Sequence, residues 1–176
     1  MFRFLPETPR DAAEVEYLYD TCFAPGRTAL SSYRLRERRP IAELCRIVRD
    51  EYDAVVGAIR YWPVRVGDQT EPALLLGPIA IHPTRQGEGL GGLLMTGTLE
   101  TARRLGWHDV ILVGDEPYYR RFGFTREAAR ALDYPPPTNP ERLLALKLAP
   151  GTPPLSGLVQ PWPEQVIEPP GGGATP

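Results

Sequence analysis

A mixed α/β domain is the fold class this sequence predicts: a central, mostly antiparallel sheet with one parallel βαβ junction, flanked by helices. Three features of the chain point to it. Leu74 to Gly106, LLLGPIAIHPTRQGEGLGGLLMTGTLETARRLG, reads as strand, glycine-dense loop and amphipathic helix, and the β-branched run Val110 to Val113 follows as the parallel partner strand. Upstream, ELCRIV, the polar turn Asp50 to Asp53 and AVVGAIRYWPVRV make a hairpin, the mark of antiparallel pairing. Downstream, Leu143 to Leu148 supplies what reads as the last apolar strand.

In chain order, Phe2 to Leu5 is a short apolar strand. Thr8-Pro9-Arg10-Asp11 then offers an N-cap, a proline at the first helical position and an acid in the first turn, and Val15, Leu18, Tyr19 and Cys22 keep helical spacing up to Ala24-Pro25-Gly26. Ser31-Ser32 opens a shorter charged helix through Arg38, stopped at Pro40. Gly67-Asp68-Gln69 turns the chain into the strand Ala73 to Ile81. Pro78 has no N–H to give to a ladder, so Gly77-Pro78 predicts a bulge or splayed edge in mid-strand. In the helix that follows, Leu90, Leu93, Leu94, Gly97, Thr101 and Leu105 fit one buried face, Arg103 and Arg104 sit where cations complement the dipole, and Gly106 suits a left-handed stop. After Val113, Asp115-Glu116-Pro117 opens one or two helical turns that end at Gly123, and Phe124 returns the chain to the sheet.

A chain of 176 residues suits one domain, here 1–149, followed by a Pro/Gly-rich extension, 150–176. Twelve of the 21 prolines lie at position 135 or later, and residues 168–176 are expected to be flexible because they carry too little apolar surface to order themselves. Leu158, Val159 and Trp162 would dock the intervening segment on the body or on a partner subunit of a homodimer, and a loosely ordered extension is equally open. Net charge is −2, with 20 basic against 22 acidic residues, which argues against bulk nucleic-acid binding. Cys22 and Cys45 match neither a zinc spacing nor a disulfide framework. No signal-peptide pattern and no membrane-length apolar stretch is present, so the cytoplasm is the expected compartment.

The loop Gln86 to Gly92 carries the most chemical information. Gly87, Gly89, Gly91 and Gly92 let backbone amides approach a ligand, and the helix opening there adds free N–H donors and partial positive charge, so a phosphate or pyrophosphate is the natural guest. Gly87-x-Gly89-x-x-Gly92 also satisfies the dinucleotide-binding pattern, with Asp109 near the expected acid. That fold needs the loop after its first strand and repeated βαβ units, whereas this chain has one such unit behind a hairpin meander.

Gln86-Gly87-Glu88-Gly89-Leu90-Gly91 matches every fixed position of Gln/Arg-x-x-Gly-x-Gly/Ala, the loop motif of the GNAT superfamily of acyl-CoA-dependent N-acyltransferases. Gly77-Pro78-Ile79-Ala80-Ile81-His82-Pro83 upstream resembles that family's strand ending in V-H-P, and Tyr119-Arg120-Arg121-Phe122-Gly123-Phe124 downstream resembles its Y-x-x-x-G-F element. The resemblance covers about residues 1 to 149, and the Gly114–Phe124 block and Leu148-Ala149-Pro150-Gly151 are most similar to a bacterial branch of acetyltransferases with unassigned acceptors. It implies acetyl-CoA as co-substrate and no metal. Gln86, Gly87, Glu88, Gly89, Leu90, Gly91 and Gly92 would wrap the pyrophosphate, Ile79, Ala80 and Ile81 would present strand-edge amides to pantetheine and the thioester carbonyl, and Tyr119 would meet the leaving thiolate, with Tyr118 its neighbouring alternative.

The reaction so implied is direct transfer of an acetyl group to a primary amine, on a small molecule or a peptide, through a tetrahedral intermediate. The strand Ala73 to Ile81 holds no acid, so Glu71, Glu116 or a water chain is left to receive the amine's proton. Acceptor contacts are expected from Thr21 to Arg38, from Arg60 and Trp62, and from the Pro135 to Pro140 loop. The rival from another class is a catalytically silent acyl-CoA-binding module of the same fold. His82 and His108 read as structural or solvent-facing.

Overall fold

A computed structural model describes residues 1–29, 31–163 and 169–170. Strand β1 (Arg3–Pro6) leads through a 3-10 turn into helix α1 (Ala12–Phe23). At that junction the Thr8 backbone N–H and hydroxyl both donate to Asp11 Oδ2 at 2.7 Å, so the expected N-terminal stop is made by a side-chain cap. Ser31–Arg36 is a 3-10 segment rather than an α-helix reaching Arg38. Next come β2 (Arg46–Arg49), β3 (Val55–Val66), β4 (Ala73–Ile81), helix α2 (Leu90–Arg104) and β5 (Asp109–Val113). Short α3 (Glu116–Tyr119), the two-residue β6 (Leu132–Asp133), β7 (Leu143–Lys147) and β8 (Gly157–Pro161) complete the order.

The sheet runs β1-β2-β3-β4-β5-β7, antiparallel except for β4 with β5. Both bounds of β4 fall where the apolar run predicted them. The proline expectation also holds: Leu76 and Ile79 of β4 lie opposite Tyr61 and Ile59 of β3, so three steps on one strand face two on the other and the extra residue is accommodated at Gly77-Pro78. β4 is nonetheless a central strand, since β3 covers one edge along its length.

Leu143 begins a strand as expected, but that strand is not the last. β8 pairs antiparallel with Val64–Val66 of β3, on the edge that β2 occupies further up, and parallel with β6. Leu155, Val159 and Trp162 are buried, so this part of the extension is docked on the body of its own chain. Of the stretch expected to be flexible, 168–176, only Pro169 and Pro170 lie within the described residues.

Alternation along the strands assigns two faces. Ile59, Tyr61, Leu74, Leu76, Val110 and Leu112 meet α2, whereas Trp62, Val64, Ala73, Leu75 and Ile111 meet the 31–36 segment and the chain around β8. Helix α1 covers the remainder of that second face through Val15, Leu18 and Tyr19 against Ile47 and Ala58. The buried stripe of α2 differs from the expected one: Leu90, Leu94, Met95, Thr98, Leu99 and Ala102 face the sheet, Leu93 is 57% exposed, Gly97 is exposed, and Thr101 and Leu105 are only half-buried. Thr98 can be buried because its hydroxyl is hydrogen-bonded with the Tyr61 hydroxyl at 2.7 Å and donates to Leu94 O, so a polar residue replaces Leu93 on the inner stripe without an unsatisfied group.

Candidate active site

β4 and β5 hydrogen-bond as neighbours only at Leu74–Val110 and Leu75–Ile111. Beyond Leu75 the strands part while β4 stays paired with β3 through Ile81, so the β5-facing edge of residues 76–81 is left open. The bulge carbonyls are turned away from the ladder and capped by side chains: Tyr19 Oη donates to Pro78 O at 3.2 Å and Arg36 Nε to Gly77 O at 2.9 Å.

At the end of β4 a 3-10 turn, Pro83–Arg85, leads into the glycine loop. His82 caps that turn by accepting from the Thr84 N–H, the structural role expected of it. Arg85 fixes the loop's base through ion pairs with Asp50 at 3.1 Å and Glu51 at 2.9 Å. Gly87 and Gly89 take φ of +86° and +77°, Gly89 being the N-cap of α2, so the backbone path itself requires glycine there. A Cβ at Gly87, Gly89 or Gly92 would meet nothing within 4 Å, which is open room beside the amides. Leu93 N–H donates to Gly89 O at 3.2 Å, and the amides before it have no intrahelical acceptor.

A cavity of about 400 Å³ lies against the bulge, walled by Leu76 to Ile79, by Tyr118 and Tyr119, and by Arg36 and Tyr134 from distant segments. Of the sequence-predicted site residues, Ile79 and Tyr119 line it, whereas Ala80, Ile81 and the glycine loop Gln86 to Gly92 lie outside its walls, further along the open β4 edge. A sequence model described as the acetyltransferase (GNAT) family matches residues 12–124.

The chain belongs to the GNAT acetyltransferase family. It is 28% identical over 118 residues to the uncharacterized N-acetyltransferase YhbS of Escherichia coli, covering 67% of this chain and 70% of that one. The crystal structure of YhbS in complex with CoA superposes with a TM-score of 0.73 at 25% identity, over 92% of this chain and 89% of that one. A GNAT acetyltransferase from Brucella melitensis in complex with acetyl-CoA gives 0.65 at 26% identity, over 93% and 97%.

In this GNAT domain the two tyrosines sit differently. A Cβ on Gly91 would lie 3.3 Å from the Tyr118 hydroxyl, so Tyr118 overhangs the first turn of α2. Tyr119 packs closer to the sheet: a Cβ on Gly114 would fall 2.3 Å from its ring, and Phe124 meets it edge-on at 6.2 Å. Burial raises the Tyr119 phenol above its ordinary value, and Tyr118 and Asp115 add to the rise.

Several expected neighbours are elsewhere. Arg60 is buried in ion pairs with Glu7 and Glu16, both at 2.5 Å, and Trp62 is buried with its indole N–H donating to Arg38 O at 2.9 Å, so neither lines the cavity. Glu71 pairs with His108 Nδ1 at 3.1 Å before the start of β4. Glu116 pairs with Arg120 at 2.9 Å, which holds its carboxyl below the ordinary range. The carboxylate on the cavity wall is Asp115, bonded to Arg142 Nε at 3.1 Å. Of the segments expected to meet the acceptor, 21–38 does line the cavity, through Phe23, Arg27, Ser32, Tyr33 and Arg36, and Tyr134 and Arg142 flank the proline loop. Tyr134 and Arg142 carried no sequence signal, because neither lies in a motif and only chain reversal brings them to β4. Among the described residues no group of three or more His, Cys, Asp or Glu could hold a metal ion, and no helix is long and apolar enough to cross a membrane.

Proposed function

We propose that this protein transfers an acetyl group from acetyl-CoA to a primary amine by direct attack. The observation that carries the reading is the parting of β4 from β5 beyond Leu75, opening a strand edge that leads to the free amides at the start of α2. Pantetheine carries two amides and pairs with such an edge as an added strand would, so Ile79, Ala80 and Ile81 hold it while Gln86 to Gly92 hold the pyrophosphate. The amine nitrogen attacks the thioester carbonyl carbon, the C–S bond breaks on collapse of the tetrahedral intermediate, and the amine's proton ends on the thiol of coenzyme A.

Tyr119 donates a hydrogen bond to the departing sulfur. With a reference phenol near 10 and thiol near 8.5, full proton transfer is already uphill by about 2 kcal/mol, and the raised Tyr119 phenol makes it more so. Glu71 is bonded to His108, Glu116 is paired with Arg120 and neither lines the cavity, while the Asp115 carboxylate on its wall is engaged by Arg142, so the amine's proton leaves through water.

The test has two stages. Coenzyme A and acetyl-CoA should each raise the melting temperature, because a ligand that binds only the native state must stabilise it; no shift with either at saturating concentration overturns the reading. Thiol release across an amine panel then separates an enzyme from a silent acyl-CoA-binding module, which would show the shift and no turnover with any amine.

A further inference from the structure

Three arginines line the cavity, and two of them are neutralised. Arg27 is paired with Glu16 and with Asp20, the latter at 2.8 Å, and Arg142 with Asp115 at 3.1 Å. Arg36 has no carboxylate within ion-pair distance among the described residues, although it is more enclosed than Arg142 and sits at the bulge itself. Its guanidinium is held by Nε to Gly77 O at 2.9 Å and Nη1 to Ser32 Oγ at 3.2 Å, with the Tyr33 and Trp62 rings 5.2 and 5.6 Å away. Among the described residues Nη2 donates to nothing. Burial lowers the Arg36 pKa with no carboxylate to compensate, the signature of a cation without its counter-ion.

A second, independent observation lies beside it. Tyr134 lines the same cavity, and its hydroxyl is buried with no hydrogen-bond partner among the described residues. Burial pushes its phenol up to about 12 while the nearby Arg36 charge opposes the rise, so the hydroxyl is a donor at any ordinary pH. A buried polar group without a partner is costly, and an enclosed cation without an anion costs more. A carboxylate on Arg36 Nη2 closes the first deficit, and a small shift of the Tyr134 ring that bares its hydroxyl to the cavity lets the same group, with its two oxygens, close the second.

We infer that Arg36 and Tyr134 form a carboxylate-binding subsite, so that the enzyme acts on a substrate bearing a carboxylate near the reacting group. This rests on the acetyl-transfer reading above. The carboxylate can arrive on the acceptor, as in an α-amino acid or an acidic peptide end, or on the acyl chain of a dicarboxylic acyl-CoA, and the test distinguishes the two.

Wild-type protein saturated with coenzyme A is titrated with matched N-acetyl-amino acids and their carboxamides, and binding is read by calorimetry. Thiol release is measured in parallel with amino acids against their amides, and with succinyl-CoA against acetyl-CoA. A preference of about 10- to 100-fold for the carboxylate member is expected on one of the two arms, and that arm names the source. R36Q should abolish the preference, R36K should keep part of it, and Y134F should reduce it while leaving the ligand-free protein equally or more stable, since that change removes an unsatisfied hydroxyl. No carboxylate preference on either arm overturns the inference. So does an R36Q variant that weakens carboxylates and carboxamides equally, which would assign Arg36 to the thioester instead. Neither result touches the coenzyme A shift, whose failure alone would sink the underlying reading.

Discussion

A phenol raised by burial is a poor acid and a good donor, and that fixes what Tyr119 can contribute. A hydrogen bond to a developing thiolate is worth about 1.5–3 kcal/mol. Tyr119→Phe should therefore cut turnover about 10- to 100-fold while the coenzyme A thermal shift is retained; undiminished turnover removes Tyr119 from the chemistry. Another single residue contributes to acid stability. Burial raises the Glu16 carboxyl, but the Arg27 and Arg60 guanidiniums outweigh it and hold it below its ordinary value. A carboxyl lowered on folding adds stability that is present above its unfolded pKa, near 4.5, and is lost as pH falls through the lower folded value. Glu16→Gln should thus be less stable than wild type at pH 7 and converge with it toward pH 3, as read by urea midpoints across that range.

At the scale of the element, the start of α2 separates what helix stability wants from what a ligand wants. Gly92 lies in the first turn, has no positive φ, and a Cβ there meets nothing within 4 Å. Gly92→Ala should therefore stabilise the ligand-free protein by about 0.5–1 kcal/mol, the usual gain of alanine over glycine in a helix. The same methyl fills room beside the amides proposed to hold the pyrophosphate, so coenzyme A affinity should fall. Calorimetry and thermal melts together check this opposition, and unchanged affinity would place the ligand elsewhere. The element itself was legible down to its glycine stop, Gly106 at φ +88°, but its inner face was not. Leu90–Leu94 with Leu93–Gly97 and Leu94–Thr98 with Leu99–Ala102 are equally periodic, and the choice rests on Thr98 finding the Tyr61 hydroxyl across the interface.

For the whole molecule, the segment after Pro150 completes the sheet. β8 covers Val64 to Val66, and its own Val159 is buried together with Leu155 before it and Trp162 after it. Lys147 ties its start by donating to Thr152 Oγ1 and Pro153 O, both at 2.7 Å. Three such side chains at about 1.5–3 kcal/mol each amount to a large part of a domain's total margin of about 5–15 kcal/mol. A chain ending at Pro150 should accordingly lose most of its stability or aggregate through the uncovered β3 edge. Equal urea midpoints for full-length protein and the Pro150 truncation would contradict this.

The sequence by itself determined the frame of the proposed donor site: the bounds of β4, the bulge at Gly77-Pro78, the glycines of the loop and the turn at Gly123. Each is a local demand, set by a missing N–H, a missing Cβ or a short apolar run, so neighbouring residues suffice to state it. Only the tertiary structure decided which face of α2 is inside, that a proline-rich segment adds a strand, that Arg60 serves Glu7 and Glu16 rather than the cleft, and that Arg36 and Tyr134 line one cavity at the bulge. Those are pairings between groups far apart in the chain, and whether a buried charge or hydroxyl finds its partner depends on how the layers stack, which no local pattern records.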